Sequence, residues 1–222
     1  MKTIPRKSPL HDMLKEKDPI LWKEVHGMPV VLRFAELKVE SLVKRHLALA
    51  DVSCFPRLGL RGIGSSSWLT TLGFNVPKTI YSVAPIENQG TLVKIDKNEV
   101  IIEDGLHGTV VSRISQEILA APKGIFSVVR QEASFFLIGN KSCKVISETC
   151  GHDLKESEDQ VVMTRVAGVS CCLLPIQSSE FQGYRIWVDP SYSVYLWKIL
   201  LEIVHEYEGD MIGLASLYPS LS

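Results

Sequence analysis

The 222-residue sequence has little excess charge of either sign and no long apolar run. Its 24 Lys and Arg residues face 25 Asp and Glu residues, which leaves a formal net charge of −1. Because nucleic-acid binding draws most of its affinity from clustered cations that neutralise phosphates, this balance argues against a nucleic-acid partner. No apolar run approaches the ~20 residues that span a bilayer, and the cationic residues 1–9 are followed by further charge instead of a signal-peptide core. The sequence therefore predicts a cytoplasmic protein without a membrane partner.

Cysteine is also scarce, and the five residues form an odd set: Cys54, Cys143, Cys150, Cys171 and Cys172. A chain of this length can bury a core without disulfides, so we expect all five thiols to be reduced. Cys143, Cys150 and His152 come nearest to a metal-ligand cluster, but they lack a C-x-x-C pair and a second pair of ligands. We therefore expect these cysteines to pack as small apolar side chains, with no metal bound.

The apolar fraction of 45% and the charged fraction of 22% are those of an ordinary globular protein. Residues 1–27, with Pro5, Pro9 and Pro19, are predicted to form an irregular leader. Beyond them, the hydrophobic pattern predicts strands at 29–34, 57–63, 80–84, 91–95, 99–102, 125–130, 134–138, 161–167, 169–174 and 183–188. Helices are predicted at 39–49, 65–72, 109–120, from 140 to a stop at Gly151, and after Asp189.

Several of these helices carry specific expectations. The helix at 39–49 is predicted to bury Val39 and Leu42, and the helix at 109–120 is predicted to bury Leu119. Ser65 is expected to cap its helix, and Asp189 is expected to cap the last and longest one, with Tyr192 facing inward. The polar residues 151–160 are predicted to form an exposed loop.

The second half of the predicted elements repeats the order of the first half. In each half strands precede a glycine turn, a short helix and further strands, without strict strand–helix alternation. The sequence thus predicts an α+β fold of two duplicated β-β-α-β-β-β-α type subdomains. We place them at about residues 28–122 and 123–222, after the leader.

Two local motifs allow a chemical and a structural interpretation. The glycine-rich turn from Gly59 to Ser65 joins a strand to a helix, where free amides can hold phosphate, but it matches neither a dinucleotide fingerprint nor a triphosphate loop. The alternative is that its glycines allow close approach of the backbone. Glu103 and Asp104 form a carboxylate pair, but Gly105 beside them indicates a turn instead of an acid–base site.

Together these segments resemble the aminomethyltransferase family, the folate-dependent T-protein of the glycine cleavage system and its relatives. The resemblance is carried by Ser8-Pro9-Leu10, Ala50-Asp51-Val52-Ser53, the segment 57–62 followed by Trp68-Leu69, Tyr81-Ser82, Gly183-Tyr184-Arg185-Ile186, Trp197 and Ile212-Gly213-Leu214-Ala215. It spans about residues 8–217, and each motif is short. It implies paired subdomains around a folate cavity, and a chain without the family's C-terminal barrel domain.

The resemblance also implies a set of ligand-binding residues for tetrahydrofolate. Glu180 corresponds to the family's folate-contacting Glu, displaced by one residue, and would meet the pterin amide edge. Tyr81 and Tyr184 would line the cavity wall, Asn88 would lie near the catalytic carboxylate of the family, and Arg185 would meet the glutamate tail.

The expected catalytic acid is missing. Asn88-Gln89-Gly90 runs directly into the next strand, as if the segment with the family's acidic pair had been deleted. Because a group that organises proton transfer contributes ~10²–10⁴ in rate, we expect folate binding without efficient turnover in one-carbon metabolism. An active transferase would require another acid, such as Glu87. The size also resembles the gamma subunit of heterotetrameric sarcosine oxidase, so the alternative is a non-catalytic subunit that contacts an oxidase or demethylase.

Overall fold

The structure is a computed structural model that describes residues 6–120, 122–152, 154, 160–177 and 181–221. The fold is mixed α+β, as predicted. The chain divides into two compact units: the first unit comprises Met1–Cys54, Glu132–Glu158 and Val162–Ser222, and the second unit comprises Phe55–Gln131 and Asp159–Val161. These boundaries differ from the predicted halves, and the duplication of the two halves stays a prediction.

The first unit is built on a six-stranded sheet. Its strands, in spatial order, are β10 (Val162–Val166), β11 (Val169–Gln177), β12 (Gln182–Val188), β9 (Ala133–Ile138), β3 (Ala48–Asp51) and β13 (Asp210–Met211). All neighbours are antiparallel except β3 and β13, which are parallel. A separate hairpin joins β1 (Leu21–Val25) to β2 (Met28–Arg33). The helices are α1 (His11–Lys15), α2 (Leu37–His46), α5 (Ser142–Thr149), α6 (Ser193–Glu206) and α7 (Leu214–Leu217).

The core of the first unit lies on one face of this sheet. Phe135 of β9 meets Trp197 of α6 edge to face, with ring centroids 5.2 Å apart. Leu196 and Leu200 of α6 and Val145 of α5 are fully buried in the same cluster. Alternate residues of β9 and helically spaced residues of α6 form this core. Tyr184 packs against the same core and therefore lies on this face of the sheet.

The predicted irregular leader is wrong, because residues 11–15 form α1 and residues 21–25 form β1. Leu10 and Leu14 are buried in the core of the first unit, which stabilises this segment. Pro9 precedes α1 and Pro19 lies between α1 and β1, so neither proline interrupts a regular element.

Helix α2 ends at His46, and residues 48 and 49, predicted as the end of that helix, belong to β3 instead. The predicted inward face is also wrong: Val39 is 51% exposed and Leu42 is 67% exposed, whereas Glu40 is 1% exposed. The Glu40 carboxylate accepts hydrogen bonds from the backbone N–H groups of Phe34 and Gly213, among others, which compensate its burial.

The second unit has a five-stranded antiparallel sheet. The spatial order is β5 (Val83–Ile86), β6 (Gly90–Asp96), β7 (Glu99–Glu103), β4 (Arg57–Arg61) and β8 (Phe126–Val129). Helices α3 (Ser65–Thr71) and α4 (Val110–Glu117) cover one face, where Leu60, Leu69, Leu92, Ile102 and Ile114 form the core. The predicted β6–β7 hairpin is confirmed, with Asp96 opposite Glu99.

Three details of helix ends differ from the prediction. Ser65 is the first residue of α3 and not its cap, a position that Gly64 occupies with φ +87°. Leu119 is 89% exposed because α4 ends at Glu117 and a 3₁₀ turn follows, which changes the facing of the later residues. Asp189 accepts from the backbone N–H of Ser191 and so caps the 3₁₀ turn Pro190–Tyr192, whereas α6 begins after Tyr192, which is 56% exposed instead of inward-facing.

Gly151 and His152 are exposed at the start of the predicted loop 151–160, of which residues 153 and 155–159 lie outside the described residues. Within the described ranges, the helices are all too short or too polar to cross a lipid bilayer.

Candidate functional site

The carboxylate pair in the second unit is buried, not exposed on a turn. Glu103 ends β7, and its Oε2 lies 2.6 Å from Nε of Arg57, which begins β4; both side chains are at most 2% exposed. Asp104 Oδ1 accepts hydrogen bonds from the N–H groups of Val110 at 3.0 Å and Val111 at 3.2 Å, so it binds the first turn of α4. The local sequence does not reveal these contacts, because the partner of Glu103 is distant along the chain and the amides that bind Asp104 follow several residues later.

Tyr81 and Asn88 lie on either side of β5 in the second unit. Both have left-handed backbone conformations, with φ +67° and +56°. The Tyr81 N–H donates to the Lys94 carbonyl at 2.6 Å, and its side chain is 41% exposed. Asn88 is exposed, and its carbonyl packs so closely on Gly105 that a Cβ there would lie 1.8 Å away. Close packing therefore maintains these unusual backbone conformations.

Glu87, the alternative acid, lies at the surface of the second unit. Its carboxylate is 3.1 Å from Nη2 of Arg113, and both side chains are about half exposed. Such a solvated ion pair does not provide the apolar environment that adapts a carboxylic acid to proton transfer.

The glycine-rich turn favours the structural interpretation. Gly62 has φ +135°, and a Cβ on it would lie 1.9 Å from the carbonyl oxygen of Gly124. The motif therefore permits close contact between two backbone segments of the second unit.

Tyr184 and Arg185 are neighbours on β12 and therefore face opposite sides of the first unit's sheet. The Tyr184 hydroxyl lies 3.4 Å from the Cys143 sulfur on α5. The Arg185 guanidinium lies over the Phe136 ring, 4.4 Å from its centroid, and hydrogen-bonds with Tyr218. The two predicted ligands are thus separated by the sheet, and Glu180 lies outside the described residues.

Burial keeps two groups near Arg185 neutral. Burial raises the pKa of the Cys54 thiol to about 12; the Asp51 carboxylate also raises it, while Arg6 and Arg185 oppose this shift. Burial likewise raises the pKa of Tyr218, with Arg185 opposing. Because the thiolate is the nucleophilic form, Cys54 is unsuited to nucleophilic chemistry.

Asp51 organises the motif residues near the start of the chain. Its Oδ2 accepts from Ser8 Oγ at 2.5 Å, and its Oδ1 accepts from Ser53 N–H at 3.0 Å and Ser53 Oγ at 2.6 Å. Ser53 Oγ in turn accepts from the N–H of Ser134 at 3.0 Å. The Ser8 and Asp-x-Ser motifs therefore anchor the N-terminal segment to β9.

A groove of about 690 Å³ runs between α5 and the ends of β11 and β12 in the first unit. Its lining includes Cys143, Cys150, His152 and Tyr184. Cys143 is exposed, contrary to the expectation of a core position, because it lies on the groove side of α5. No cluster of three metal-ligating side chains occurs among the described residues, and the described part of the groove lining includes no Asp, Glu, Lys or Arg.

The fold of the chain is similar to that of solved aminomethyltransferase and sarcosine oxidase structures. The chain matches the glycine cleavage system aminomethyltransferase T from Bartonella henselae with a TM-score of 0.77 and 14% identity over 96% of its length. It matches a chain of the heterotetrameric sarcosine oxidase from Corynebacterium sp. U-96 with a TM-score of 0.65 and 14% identity over 92% of its length.

The two matches differ in how much of the solved chain is covered. The present chain spans 61% of the Bartonella protein but 97% of the Corynebacterium chain. No family model matches the sequence, and no curated protein matches it. The resemblance predicted from the short motifs is thus confirmed by the fold.

Proposed function

We propose that the protein is a non-catalytic subunit with the aminomethyltransferase fold that works in an amine-oxidising complex of the sarcosine oxidase kind. The observation that carries the proposal is the match over 97% of one chain of a heterotetrameric sarcosine oxidase, which also covers 92% of this chain. A chain that aligns over nearly the full length of one subunit is a natural candidate for the same structural role.

The engagement of the buried carboxylates supports a non-catalytic role. Three carboxylates are buried among the described residues: Glu40, Glu103 and Asp104. Glu40 accepts backbone hydrogen bonds, Glu103 pairs with Arg57, and Asp104 binds the start of α4. Each carboxylate is committed to the fold, whereas general acid–base catalysis requires one within reach of substrate.

Purification of the tagged full-length protein from its native host tests the proposal. We expect a flavin-containing subunit to co-purify in a constant ratio through size-exclusion chromatography, with the flavin absorbance coincident with this chain. A tagged protein that elutes as a monomer without flavin, and that transfers aminomethyl groups to tetrahydrofolate, would overturn it.

Tetrahydrofolate binding without turnover is the second candidate function, and the match to the aminomethyltransferase over 96% of the chain favours it. The proposed ligands are Tyr81, Asn88, Glu180, Tyr184 and Arg185. Because Tyr184 and Arg185 face opposite sides of the sheet, a single folate would depend on only one of them. Titration calorimetry with tetrahydrofolate should show a loss of affinity in either Arg185→Lys or Tyr184→Phe, compared with the unmodified chain. The absence of heat with the unmodified chain at about a millimolar tetrahydrofolate would exclude this candidate function.

A further inference from the structure

Strand β8 forms an open edge of the second unit's sheet. Among the strands of the described residues it pairs with β4 alone, in a continuous register from Leu58 opposite Val129 to Arg61 opposite Phe126. The outer side of an edge strand presents backbone donors and acceptors that another extended chain can satisfy. The residues of β8, Phe-Ser-Val-Val, include no Lys or Pro, which commonly protect such edges.

Large apolar side chains surround this edge. Phe126 is 64% exposed and Val129 is 75% exposed. Ile63, which follows the Gly62 that packs on Gly124 just before β8, is 85% exposed. An exposed group of this kind on an open strand is typical of a surface that another chain covers.

Cations border the same edge. Arg61 is 72% exposed and lies opposite Phe126, Lys123 is exposed three residues before β8, and Arg130 follows β8 directly. Glu99 is the shared acidic partner, 3.9 Å from Arg61 and ion-paired with Arg130. With Glu132, two residues after Arg130, three cations stand against two carboxylates, which leaves a net charge of one positive unit to complement a negatively charged partner.

The same charges disfavour pairing with a second copy. Antiparallel pairing of β8 with itself would bring the Lys123 end of one strand towards the Arg130 end of the other. Like charges at close range reduce affinity, whereas acidic residues in a partner strand would meet both ends favourably.

We infer that the outer edge of β8 is the docking strand for an extended segment of a partner subunit in which acidic residues alternate with apolar ones. The inference rests on the proposed function, because it supplies the place where the oxidase-like partner attaches. Backbone hydrogen bonds would add the segment to the sheet. Its apolar residues would cover Val129 on one face, and its carboxylates would meet Arg61 on the opposite face, which also carries Phe126.

Hydrogen exchange on the full-length protein with a model peptide tests the edge directly. The probe is an alternating Glu-Val peptide of about six residues, with a Lys-Val peptide of equal length as the charge control. We expect the Glu-Val peptide, at a concentration of about a millimolar, to slow hydrogen exchange of the backbone amides in 126–129, and the Lys-Val peptide to have no effect. Equal protection by both peptides, or protection by neither, would overturn the inference.

A matched pair of variants locates the effect. Val129→Lys places a protecting charge on β8, whereas Met163→Lys places the same charge on β10, the edge strand of the other unit, where Met163 is 57% exposed. We expect Val129→Lys to weaken peptide binding by at least about tenfold and Met163→Lys to leave it unchanged. A concentration-dependent dimer that Val129→Lys dissociates would overturn the inference in favour of a second copy.

Co-purification and peptide protection together distinguish the role of β8 from the existence of the proposed complex. If the flavin-containing subunit co-purifies equally with the Val129→Lys protein, the complex stands and β8 is not its docking strand. If no partner co-purifies but the Glu-Val peptide protects β8, the edge binds acidic segments and the proposed complex fails.

Discussion

At the scale of single residues, Arg57 and Glu103 form an ion pair in the interior of the second unit. Arg57 and Glu103 are close together only because β4 and β7 are neighbours in the sheet. Removing one member of a buried ion pair leaves the other charge uncompensated, which typically costs about 3–5 kcal/mol. The pair is therefore a sensitive test of the second unit's interior.

We expect Glu103→Gln to lower the free energy of unfolding by about 3 kcal/mol, because the variant keeps the side-chain shape but leaves the guanidinium without its carboxylate. Urea denaturation measures this change. The double variant Arg57→Met with Glu103→Leu removes both charges at similar volume and should recover at least half of the loss. A loss below about 1 kcal/mol in Glu103→Gln would contradict the assigned burial.

The Cys54 thiol gives a prediction about alkaline pH. Burial raises the pKa of Cys54 from 9.0 to about 12, so the folded state holds its proton where the unfolded state has lost it. A raised pKa in the folded state contributes stability that is complete below pH 9.0 and is lost as pH rises towards about 12. The loss for one thiol at pH 10 is about 1 kcal/mol.

Cys54→Ala removes this titration while leaving the other raised groups, such as Tyr218, in place. The difference in unfolding free energy between the unmodified protein and Cys54→Ala should therefore narrow by about 1 kcal/mol between pH 8 and pH 10. Chemical denaturation at both values measures it. A difference that is independent of pH would show that Cys54 titrates normally in the folded protein.

At the scale of elements, α2 shows how a periodic pattern can indicate the wrong face. Val39 and Leu42 have the spacing of a buried stripe, but they are exposed, and the inward position belongs to Glu40. Sequence alone could not find this, because the donors to Glu40 come from Phe34 and Ala35 before the helix and from Gly213 and Ser216 far along the chain.

The helical pattern predicts that Leu42→Glu lowers the stability more than Glu40→Leu does, whereas the structure predicts the reverse. Glu40→Leu leaves buried backbone N–H groups without an acceptor and should cost about 3 kcal/mol or more, since each unsatisfied group costs ~1–3 kcal/mol. Leu42→Glu changes an exposed position and should stay within about 0.5 kcal/mol. Thermal denaturation of both variants compares them, and a larger loss for Leu42→Glu would mean that α2 is rotated about its axis.

Elements with strong local signals were predictable. The β6–β7 hairpin follows from apolar residues around a tight turn. The capping role of Asp189 follows from its side-chain chemistry next to Pro190, although it caps the 3₁₀ turn before α6 and not α6 itself. The prediction of an irregular leader was wrong because α1 and β1 are short and depend on tertiary contacts of Leu10 and Leu14. For the candidate site, the residue types were readable, but the opposite orientation of Tyr184 and Arg185 became clear only from their place on β12.

At the scale of the whole molecule, the first unit is assembled from separate stretches of chain. Strand β3 comes from the N-terminal stretch, yet it lies between β9 and β13, which follow much later. Leu47, just before β3, and Leu49, within β3, are fully buried in the core of that unit. A division of the chain into independent halves at residue 122 would separate β3 from both neighbours.

We therefore expect a fragment of residues 123–222 to lack a cooperative thermal transition, because β9 and β13 lose the strand between them and the core loses Leu47 and Leu49. Adding a fragment of residues 1–54 should restore the transition, whereas residues 1–46, which end before Leu47 and β3, should not. Circular dichroism during heating measures each mixture. Cooperative melting of 123–222 alone would instead establish the C-terminal half as an independent folding unit, and would return the boundary to the position that the repeated pattern of the sequence predicts.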